Sequence, residues 1–545
     1  IDVLRQRLNL KRLLQMETST FDVLDLDFYD EKTWDLICSG KTKGVFQLES
    51  NLGKSWAKRV KPRNIEELAA LVSIIRPGTL KAIQDGKSMT QRFVDRKNLK
   101  EEITYLHPSL EPILKGTQGV LVYQEQSMKI AQQLAGFDLQ EADNLRKAIG
   151  KKKANLMAKV KRAFLRGAVS KEILTKEEAE EIFSWIEKSS RYAFNKSHAV
   201  SYAICAYWSA YAKTHYPLEF YCNYLLHSSG KPDPQQEVKE LVNDAKNSEI
   251  YISPPSIQSI NALTDIIDRK IYFGLLDVKS VGMKQIEKFK DEINAIEKQI
   301  GKKLSDWSWY EFLILVSSRV NSRMLVALIS IGFFAHLPES RKQMLDEFDT
   351  WGSLTKKEQE WAVNNYNKYK DLISLLKKMS PTKKEGGAAF NTRRSGIISD
   401  LVIHCENPSH SMKDDPEWVI RTEEHYLGVA LTYSRVETYD TKLANTTIKE
   451  FLNGKRNGVK MAVTISEVKK YVTKKGKMKG VEMAFMCVED HTGALDSITV
   501  FSEKWKEYKN ILYEGNNVIL VGQSSKSKRY QIDDGMIVDD VIELS

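Results

Sequence analysis

The segment Val459–Tyr471, VKMAVTISEVKKY, decides the fold of the C-terminal part, because apolar and polar residues alternate along it. Alternation with a period of two is typical of a β-strand with one buried face. Further segments rich in β-branched residues follow at Gly480–Val488, Ser497–Phe501 and Asn517–Gly522. A helical pattern, Glu503–Leu512, separates the last two of these segments.

Several short strands with one helix between the third and the fourth strand is the element order of an OB barrel. The chain before it has a helical period: from Phe28 to about Leu226, apolar residues recur three and four positions apart, separated by Pro or Gly. From about Ile252 to Leu345, strand-like pieces and further helices follow. The charged segment Asn364–Gly396 ends in SPTKKEGGAAFNTRRSG and predicts a linker. The sequence therefore predicts an α+β multidomain protein that is mostly helical and ends in an all-β OB barrel.

Length and composition exclude several classes of protein. The chain has 545 residues, enough for roughly three to five domains, and is 42% hydrophobic and 28% charged, as a soluble globular protein is. The longest apolar stretch, Ala199–Ala212, is shorter than the roughly 20 residues that cross a bilayer and predicts a buried helix. Five scattered cysteines without CxxC spacing indicate a reducing compartment. We therefore expect a cytoplasmic protein with no membrane partner.

The stretch Arg146–Arg166, RKAIGKKKANLMAKVKRAFLR, holds nine basic residues and no acidic residue in 21 positions. On a helix, like charges three and four positions apart repel each other by about 0.2–0.5 kcal/mol per pair. A solvated basic face is the usual explanation of a charge run, but the absence of any acidic residue favours a phosphate-rich partner here.

A second basic cluster, Lys469–Lys479, lies where the sequence predicts the hairpin between the first two barrel strands. OB folds bind single-stranded nucleic acid with this loop and with exposed aromatic rings. We expect Lys474, Lys475 and Lys477, together with the ring of Tyr471, to contact DNA. The alternative is that the aromatic ring belongs to the barrel core.

The segment Ile271–Lys284, IYFGLLDVKSVGMK, followed by IEKFKDEI, resembles a helix-hairpin-helix, in which a tight glycine turn presents backbone N–H groups to a phosphate. Such hairpins usually carry two glycines, whereas this turn has Ser280 and Gly282. We expect Lys279, Ser280, Gly282 and Lys284 to contact DNA. An ordinary pair of packed helices would give the same pattern.

Several motifs, in this order, together resemble one known family. They are GVFQLES (Gly44–Ser50), IRPG (Ile75–Gly78), VYQEQ (Val122–Gln126), ADNLRKAIGKKK (Ala142–Lys153), FNKSHAVSY (Phe194–Tyr202) and, inside the predicted barrel, VEDHTGALDSITVF. The set is similar to the bacterial C-family replicative DNA polymerases, the polymerase III alpha subunits. The resemblance covers nearly the whole chain and is strongest over 28–226.

The resemblance implies five regions along the chain. They are the end of the palm (1–27), the fingers (28–226), a helix-hairpin-helix DNA-binding region (227–350), a helical segment and linker (351–425) and an OB domain (426–545, with the barrel at about 459–545). It also implies part of a DNA-directed DNA polymerase, a nucleotidyltransferase that adds dNTPs to a primer 3′ end by two-metal phosphoryl transfer. The alternative is a non-catalytic DNA-binding or replisome scaffold protein.

Two-metal chemistry needs converging carboxylates, because Mg²⁺ prefers oxygen ligands. In the family two of them come from an Asp-x-Asp pair and a third from a downstream strand; by resemblance Asp2 is that third, catalytic and metal-binding residue. Asp25 and Asp27 follow Asp2 in the chain, so we expect them not to be the catalytic pair. The pair is then expected upstream of Ile1, and this chain alone would have an incomplete catalytic site.

The resemblance also implies which residues bind the incoming nucleotide. Arg146, Lys147, Lys151 and Lys153 are expected to meet its triphosphate, with help from Arg76, for which a structural ion pair is the alternative. Residues near the nascent base pair are expected in the FNKSH segment, namely Asn195, Lys196 and His198. For the histidine, a purely structural role is the alternative.

The partners implied by the resemblance are primer–template DNA, dNTPs and single-stranded template DNA. An upstream polymerase fragment and a sliding clamp are further candidates. Gln343–Phe348, QMLDEF, has the letters of a clamp-binding peptide but lies in a helical run, so we expect it not to serve as one. The expected setting is the cytoplasm of a bacterium or of a phage-infected host cell.

Overall fold

The computed structural model describes residues 22–544, except 85, 152–153, 190–192, 259, 455–456, 474–479 and 526–534. The chain divides into two compact units, with the boundary between Phe220 and Tyr221. We call them the N-terminal unit and the C-terminal unit. Within the described ranges, no helix combines the length and the apolar character needed to cross a membrane.

The N-terminal unit is helical, with one short β-hairpin. Its elements are α1 Glu31–Ser39, α2 Asn51–Val60, α3 Ile65–Ile74, α4 Pro77–Lys81, β1 Ile83–Gln84, β2 Lys87–Ser88, α5 Met89–Lys97, α6 Glu111–Leu114, α7 Gln124–Ala135, α8 Leu139–Lys151, α9 Ala154–Ser170, α10 Lys176–Ser189 and α11 Lys196–His215. Polar residues define several starts: Asp30, Ser50, Asn64 and Ser88 each accept a backbone N–H from the first turn of the following helix.

Two hydrophobic cores stabilise the N-terminal unit. The first joins α3 to α11, and α11 contributes a face of fully buried alanines, Ala199, Ala203, Ala206 and Ala210. Small side chains on this face allow the two helix axes to approach closely. The second core lies among α7, α8, α9 and α10. The buried helix predicted at Ala199–Ala212 is therefore confirmed.

The C-terminal unit follows α12 Pro217–Leu226, which spans the boundary between the units. Its elements are α13 Pro234–Asn247, β3 Ile252–Ser253, β4 Asp265–Ile267, β5 Lys270–Tyr272, α14 Met283–Ile300, α15 Trp309–Val316, α16 Ser322–Ser330, α17 Arg341–Gly352, α18 Lys356–Asn365, α19 Leu372–Met379, α20 Thr392–Glu406, α21 Pro416–Leu427, α22 Ile448–Leu452, β6 Val459–Val472, β7 Glu482–Asp490, β8 Gly493–Val500, α23 Ser502–Tyr508, β9 Asn517–Ser524 and β10 Met536–Glu543. Strands β3, β5 and β4 form a small sheet in that order.

The prediction that Asn364–Gly396 is a linker is wrong. The segment contains α19, whose residues Leu372, Leu375, Leu376 and Met379 are buried in the large core of the C-terminal unit. Apolar residues at this spacing lie on one face of a helix, and burial of that face stabilises the segment despite its charged composition.

The barrel strands close in the order β10-β8-β7-β6-β9, and β9 pairs with β10. Neighbouring strands are antiparallel, except that β8 and β10 are parallel. Helix α23 lies between the third and the fourth strand of the barrel. This is the OB arrangement, so the predicted fold class is confirmed. Strand β10 was not among the strands predicted from the sequence.

Helix α13 attaches the barrel to the helical part of the C-terminal unit. The amide of Asn247 donates to the Ala494 carbonyl at 3.2 Å and accepts from the Ala494 N–H at 3.1 Å, as the edge of a strand would. Asn243 donates to the Glu489 carboxylate at 2.7 Å. A Cβ at Gly493 would lie 1.7 Å from the Asn247 Oδ1, so glycine is required there. We call this contact the α13–barrel joint.

Candidate nucleotide-binding and DNA-binding sites

The FNKSH segment forms the start of α11 and is tied to α7 by one carboxylate. Asn195 caps α11, because its Oδ1 accepts the His198 N–H at 2.9 Å. Its Nδ2 donates to the Glu125 Oε1 at 2.8 Å, and the Lys196 N–H donates to the Glu125 Oε2 at 2.9 Å. Glu125 therefore fixes both the cap and the first residue of α11; we call these two bonds the Glu125 latch.

Backbone contacts join the VYQEQ motif to the same place. The Gln124 N–H donates to the Phe194 carbonyl at 2.9 Å, and the Phe194 N–H donates to the Val122 carbonyl at 3.0 Å. The Gln126 side chain accepts the N–H groups of Val122 and Tyr123 at 3.0 and 2.9 Å. The VYQEQ motif therefore positions the FNKSH segment.

Four of the predicted nucleotide-binding residues converge here. The Arg76 guanidinium lies over the Phe194 ring, with its Cζ 3.7 Å from the ring centroid. The His198 ring is 5.3 Å from the Phe194 ring. The Lys196 Nζ lies 3.7 Å from the Glu66 Oε1. Stacking on a neutral ring leaves the charge of Arg76 in place. The group thus contains two cations, Arg76 and Lys196, of which Lys196 is paired with Glu66, and two polar side chains, Asn195 and His198. We call these four residues and Phe194 the FNKSH cluster.

The predicted triphosphate-binding residues on α8 have an acidic neighbour. Arg146 bonds to the Asp143 Oδ1 at 2.7 Å, and the Lys147 Nζ lies 2.8 Å from the Asp143 Oδ2. Hydrogen bonds from Lys147 and Arg146 hold the pKa of Asp143 below its usual value. The sequence argument stressed the absence of acidic residues within Arg146–Arg166, but this carboxylate, one turn earlier, partly neutralises the start of the stretch. All three side chains are solvent-accessible, and such surface pairs contribute only about 0–1 kcal/mol.

The basic stretch is also divided between two helices. Arg146, Lys147 and Lys151 lie on α8, although only the backbone of Lys151 is described, and Lys153 lies outside the described residues. A short turn at residues 136–138 joins α7 to α8, and both helices contribute to the second hydrophobic core.

The predicted metal ligand, Asp2, lies outside the described residues. Across the described part of the chain, no group of three His, Cys, Asp or Glu side chains is placed to hold a metal ion. The carboxylate of Asp27 accepts the Tyr29 N–H at 2.9 Å, which is a local turn contact.

The predicted hairpin is a turn between a short 3₁₀ segment, Leu275–Asp277, and α14. Ser280 occupies the left-handed region with φ +72°, the conformation that glycine would adopt without strain. The buried side chains of Val278 and Val281 anchor the turn. Its exposed residues are the ones predicted to contact DNA, namely Lys279, Ser280, Gly282 and Lys284.

On the barrel, Tyr471 and Phe485 lie on neighbouring strands with their ring centroids 6.1 Å apart, and both are exposed. The alternative that Tyr471 belongs to the barrel core is therefore excluded. Lys474, Lys475 and Lys477 lie outside the described residues. The QMLDEF segment is part of α17, with Met344 buried, so it is not a free peptide.

The sequence did not point to Phe194 of the FNKSH cluster or to Glu125 of the Glu125 latch. Glu125 and Phe194 lie inside quoted motifs, but neither was assigned a role. A carboxylate at the second position of α7 could have been noticed as a partner for a helix start, whereas the stacking of Arg76 on Phe194 depends on tertiary contacts that no local spacing shows.

Comparison with known proteins identifies two segments. Residues 4–172 match the family model for the bacterial DNA polymerase III alpha subunit finger domain, and residues 249–344 match that for the helix-hairpin-helix motif. The chain is 32% identical over 504 residues to DNA polymerase III subunit alpha of Aquifex aeolicus, and 29% identical over 512 and 539 residues to those of Bacillus subtilis and Halalkalibacterium halodurans. These alignments cover 92%, 93% and 98% of this chain and 38%, 41% and 43% of the three relatives.

The chain is a relative of the bacterial DNA polymerase III alpha subunits. The resemblance inferred from the ordered motifs is thus confirmed. The chain spans about two fifths of the length of the curated relatives it matches. Within this polymerase III alpha relative, Arg76 and Arg146 lie in the segment that matches the finger domain, and Ser280 lies in the segment that matches the helix-hairpin-helix motif.

Proposed function

We propose that the chain forms the fingers and the C-terminal DNA-binding part of a DNA-directed DNA polymerase, with the domain limits expected from the resemblance. The observation that supports this most is the FNKSH cluster, in which Arg76 stacks on Phe194 and the Glu125 latch fixes Asn195 and the backbone of Lys196. Phosphoryl transfer depends mainly on positioning and on stabilising negative charge, and charges fixed in advance do this without reorganisation.

The incoming dNTP binds between the FNKSH cluster and the end of α8. Arg146 and Lys147 release Asp143 and bind the triphosphate instead. The planar guanidinium of Arg146 donates hydrogen bonds to phosphate oxygens, and the ammonium of Lys147 contributes a localised positive charge. Lys151 and Lys153 extend this cationic end. Arg76 helps to bind the triphosphate, and Asn195, Lys196 and His198 face the nascent base pair from the start of α11.

DNA binds to the C-terminal unit at two places in this proposal. The helix-hairpin-helix turn contacts the backbone of the primer–template duplex. The exposed Tyr471 and Phe485 rings bind the single-stranded template beside the barrel hairpin. The residues assigned to these contacts are Lys279, Ser280, Gly282 and Lys284 for the duplex, and Tyr471, Lys474, Lys475 and Lys477 for the single strand.

The reaction needs divalent ions, for which Mg²⁺ is the proposed cofactor. Mg²⁺ sites use several oxygen ligands, and the described residues do not supply such a group. The residues on α8 and α11 therefore bind and orient the nucleotide. Metal binding belongs to carboxylates outside the described residues, namely Asp2 and an Asp-x-Asp pair on a palm segment.

Nucleotide binding can be tested without turnover. We expect Arg146→Ala to raise the Kd of a fluorescent dNTP about tenfold, because it loses a charged hydrogen bond worth about 1.5–3 kcal/mol, offset by release of Asp143. Lys196→Ala should act in the same direction. Arg162→Ala removes the same charge from α9 and should leave the Kd within about twofold. Wild-type affinity in both the Arg146 and the Lys196 variant would overturn the nucleotide assignment.

Catalysis is tested by primer extension with the chain alone and after mixing with a palm fragment that carries an Asp-x-Asp pair. Extension that depends on both components supports the polymerase proposal. The proposed place of this activity is the cytoplasm of a bacterium or of an infected host. No extension under any condition, with DNA binding retained, would replace it by the non-catalytic scaffold. Adding a sliding clamp to the active mixture tests whether the clamp is a partner.

A further inference from the structure

The segment once expected to be a linker contains an ordered loop, Thr382–Asn391, which we call the Phe390 loop. It connects α19 to α20 in the C-terminal unit. The Lys383 N–H donates to the Ala389 carbonyl at 3.1 Å, and the Gly387 N–H donates to the Thr382 carbonyl at 3.0 Å. A Cβ at Gly387 would lie 1.9 Å from the Pro381 carbonyl oxygen, so the loop depends on a glycine there. Its two ends are therefore held together.

The loop is also attached to the core below it. Ala388 and Ala389 are buried, and their N–H groups donate to the Met379 carbonyl at 3.0 and 3.2 Å. The Glu385 carboxylate accepts the Thr382 N–H at 2.9 Å and is directed into the loop. The loop is thus a rigid projection.

A large apolar side chain is exposed on this projection. Phe390 is 75% exposed. It occupies the position before Asn391, the cap of α20, where an apolar residue commonly packs on the fourth residue of the helix. Here that residue is Ser395, which offers no apolar surface. Packing at the start of α20 therefore does not explain why an aromatic residue is present at position 390.

Exposed cationic residues lie in the same loop as Phe390 and at the start of α20. Lys383 lies beside Phe390, because the Lys383 N–H bonds to the residue before Phe390, and Lys384 follows. Arg393 lies in the first turn of α20 and is exposed. Among the described residues, no ion pair involves Lys383, Lys384 or Arg393, whereas the neighbouring Arg394 is paired with the buried Glu358. The loop and the start of α20 thus combine an exposed ring with three accessible positive charges.

We propose that the Phe390 loop binds single-stranded nucleic acid, with a base stacked on Phe390 and the backbone phosphates against Lys383, Lys384 and Arg393. Exposed aromatic rings together with cations are the arrangement by which proteins hold single strands without reading their sequence. A base inside a duplex offers no free face to such a ring, so the loop selects single strands. The residues of this surface are different from those proposed at the helix-hairpin-helix turn and on the barrel face.

The test uses the whole chain and a fluorescein-labelled 20-mer of oligo(dT), with Kd measured by anisotropy over a range of salt concentrations. Loss of one stacked base should make Phe390→Ala bind about fivefold or more weakly, and Phe390→Trp should restore binding. Lys383→Ala with Lys384→Ala should lower the salt slope by about 1.4, since each phosphate contact on a single strand contributes about 0.7.

Two controls separate stacking and local charge from general effects. On an oligonucleotide of abasic sites, Phe390→Ala should bind as tightly as wild type. Lys506→Ala with Lys509→Ala removes two exposed charges, one from α23 and one from the residue that follows it, and should leave the slope unchanged. Phe390 is exposed, so its variants should keep the wild-type unfolding midpoint.

Wild-type Kd and salt slope in both loop variants would overturn the proposal. An equal loss by Phe390→Ala on dT and on abasic DNA would also overturn it, because the ring would not be stacking on a base. If the variants bind both oligonucleotides normally but fail to bind a partner polypeptide, the loop is a protein-docking surface instead. These measurements need neither primer nor dNTP, so a negative result would leave the polymerase proposal standing.

Discussion

Replacing Glu125 by Ala should loosen the start of α11 without unfolding the N-terminal unit. The variant loses the acceptor of two bonds, 2.8 Å from the Asn195 Nδ2 and 2.9 Å from the Lys196 N–H. Hydrogen bonds to a charged group contribute about 1.5–3 kcal/mol each when shielded, and less in solvent. Because Lys196 is exposed, we expect a total near 2 kcal/mol, which corresponds to about 30-fold in a local opening equilibrium.

Hydrogen exchange measures this opening directly. In a peptide covering residues 194–200, the protected amides should exchange about 30-fold faster in Glu125→Ala than in wild type, and Glu125→Gln, which retains one acceptor, should be intermediate. Glu66→Ala is the matched control, because its exposed carboxylate contacts only the Lys196 side chain among the groups of that helix start. Exchange within twofold of wild type in Glu125→Ala would refute the latch, and dNTP affinity should weaken along with protection.

Further predictions concern the hairpin, the barrel and pH. Ser280→Gly should stabilise the chain by about 0.5–1 kcal/mol in urea unfolding, because φ +72° strains a side chain, whereas Ser353→Gly, at φ −77°, should destabilise it. Gly493→Ala should cost about 2 kcal/mol or more by displacing Asn247, and an unchanged urea midpoint would contradict the α13–barrel joint. Desolvation opposes ionisation of Asp30, but hydrogen bonds from Thr33 and His215 outweigh it and lower its pKa. Its stabilising effect is therefore present above the unfolded-state pKa and lost as pH falls through the folded-state pKa, so Asp30→Asn should flatten the acid limb of the stability profile.

The barrel was predictable because strand alternation is local. The period of two in β6 and the helix before β9 were enough to give the OB order. The linker prediction failed for the opposite reason: Leu372, Leu375, Leu376 and Met379 already had helical spacing, but charge and glycine content outweighed it in the reasoning. Tertiary burial then decided the outcome.

The candidate site was predictable only in part. Ordered motifs placed Arg76 and Asn195 in one family-like set, and the structure brings them to one cluster. The spacing of three residues between Asp143 and Arg146 would have predicted their pairing. The sequence argument considered only Arg146–Arg166, which contains no acidic residue. The Glu125 latch joins residues 70 positions apart, a contact that no short-range pattern encodes.

If the C-terminal unit binds a single strand as proposed, the α13–barrel joint affects how that strand is held. Asn247 bonds to both backbone groups of Ala494, and Asn243 bonds to Glu489, so these contacts oppose movement of the barrel relative to α13, the helix that precedes the hairpin region. A strand held at both the hairpin and the barrel would cross a gap of constant length. The C-terminal unit would then cover a fixed number of nucleotides of the bound strand, whatever their sequence.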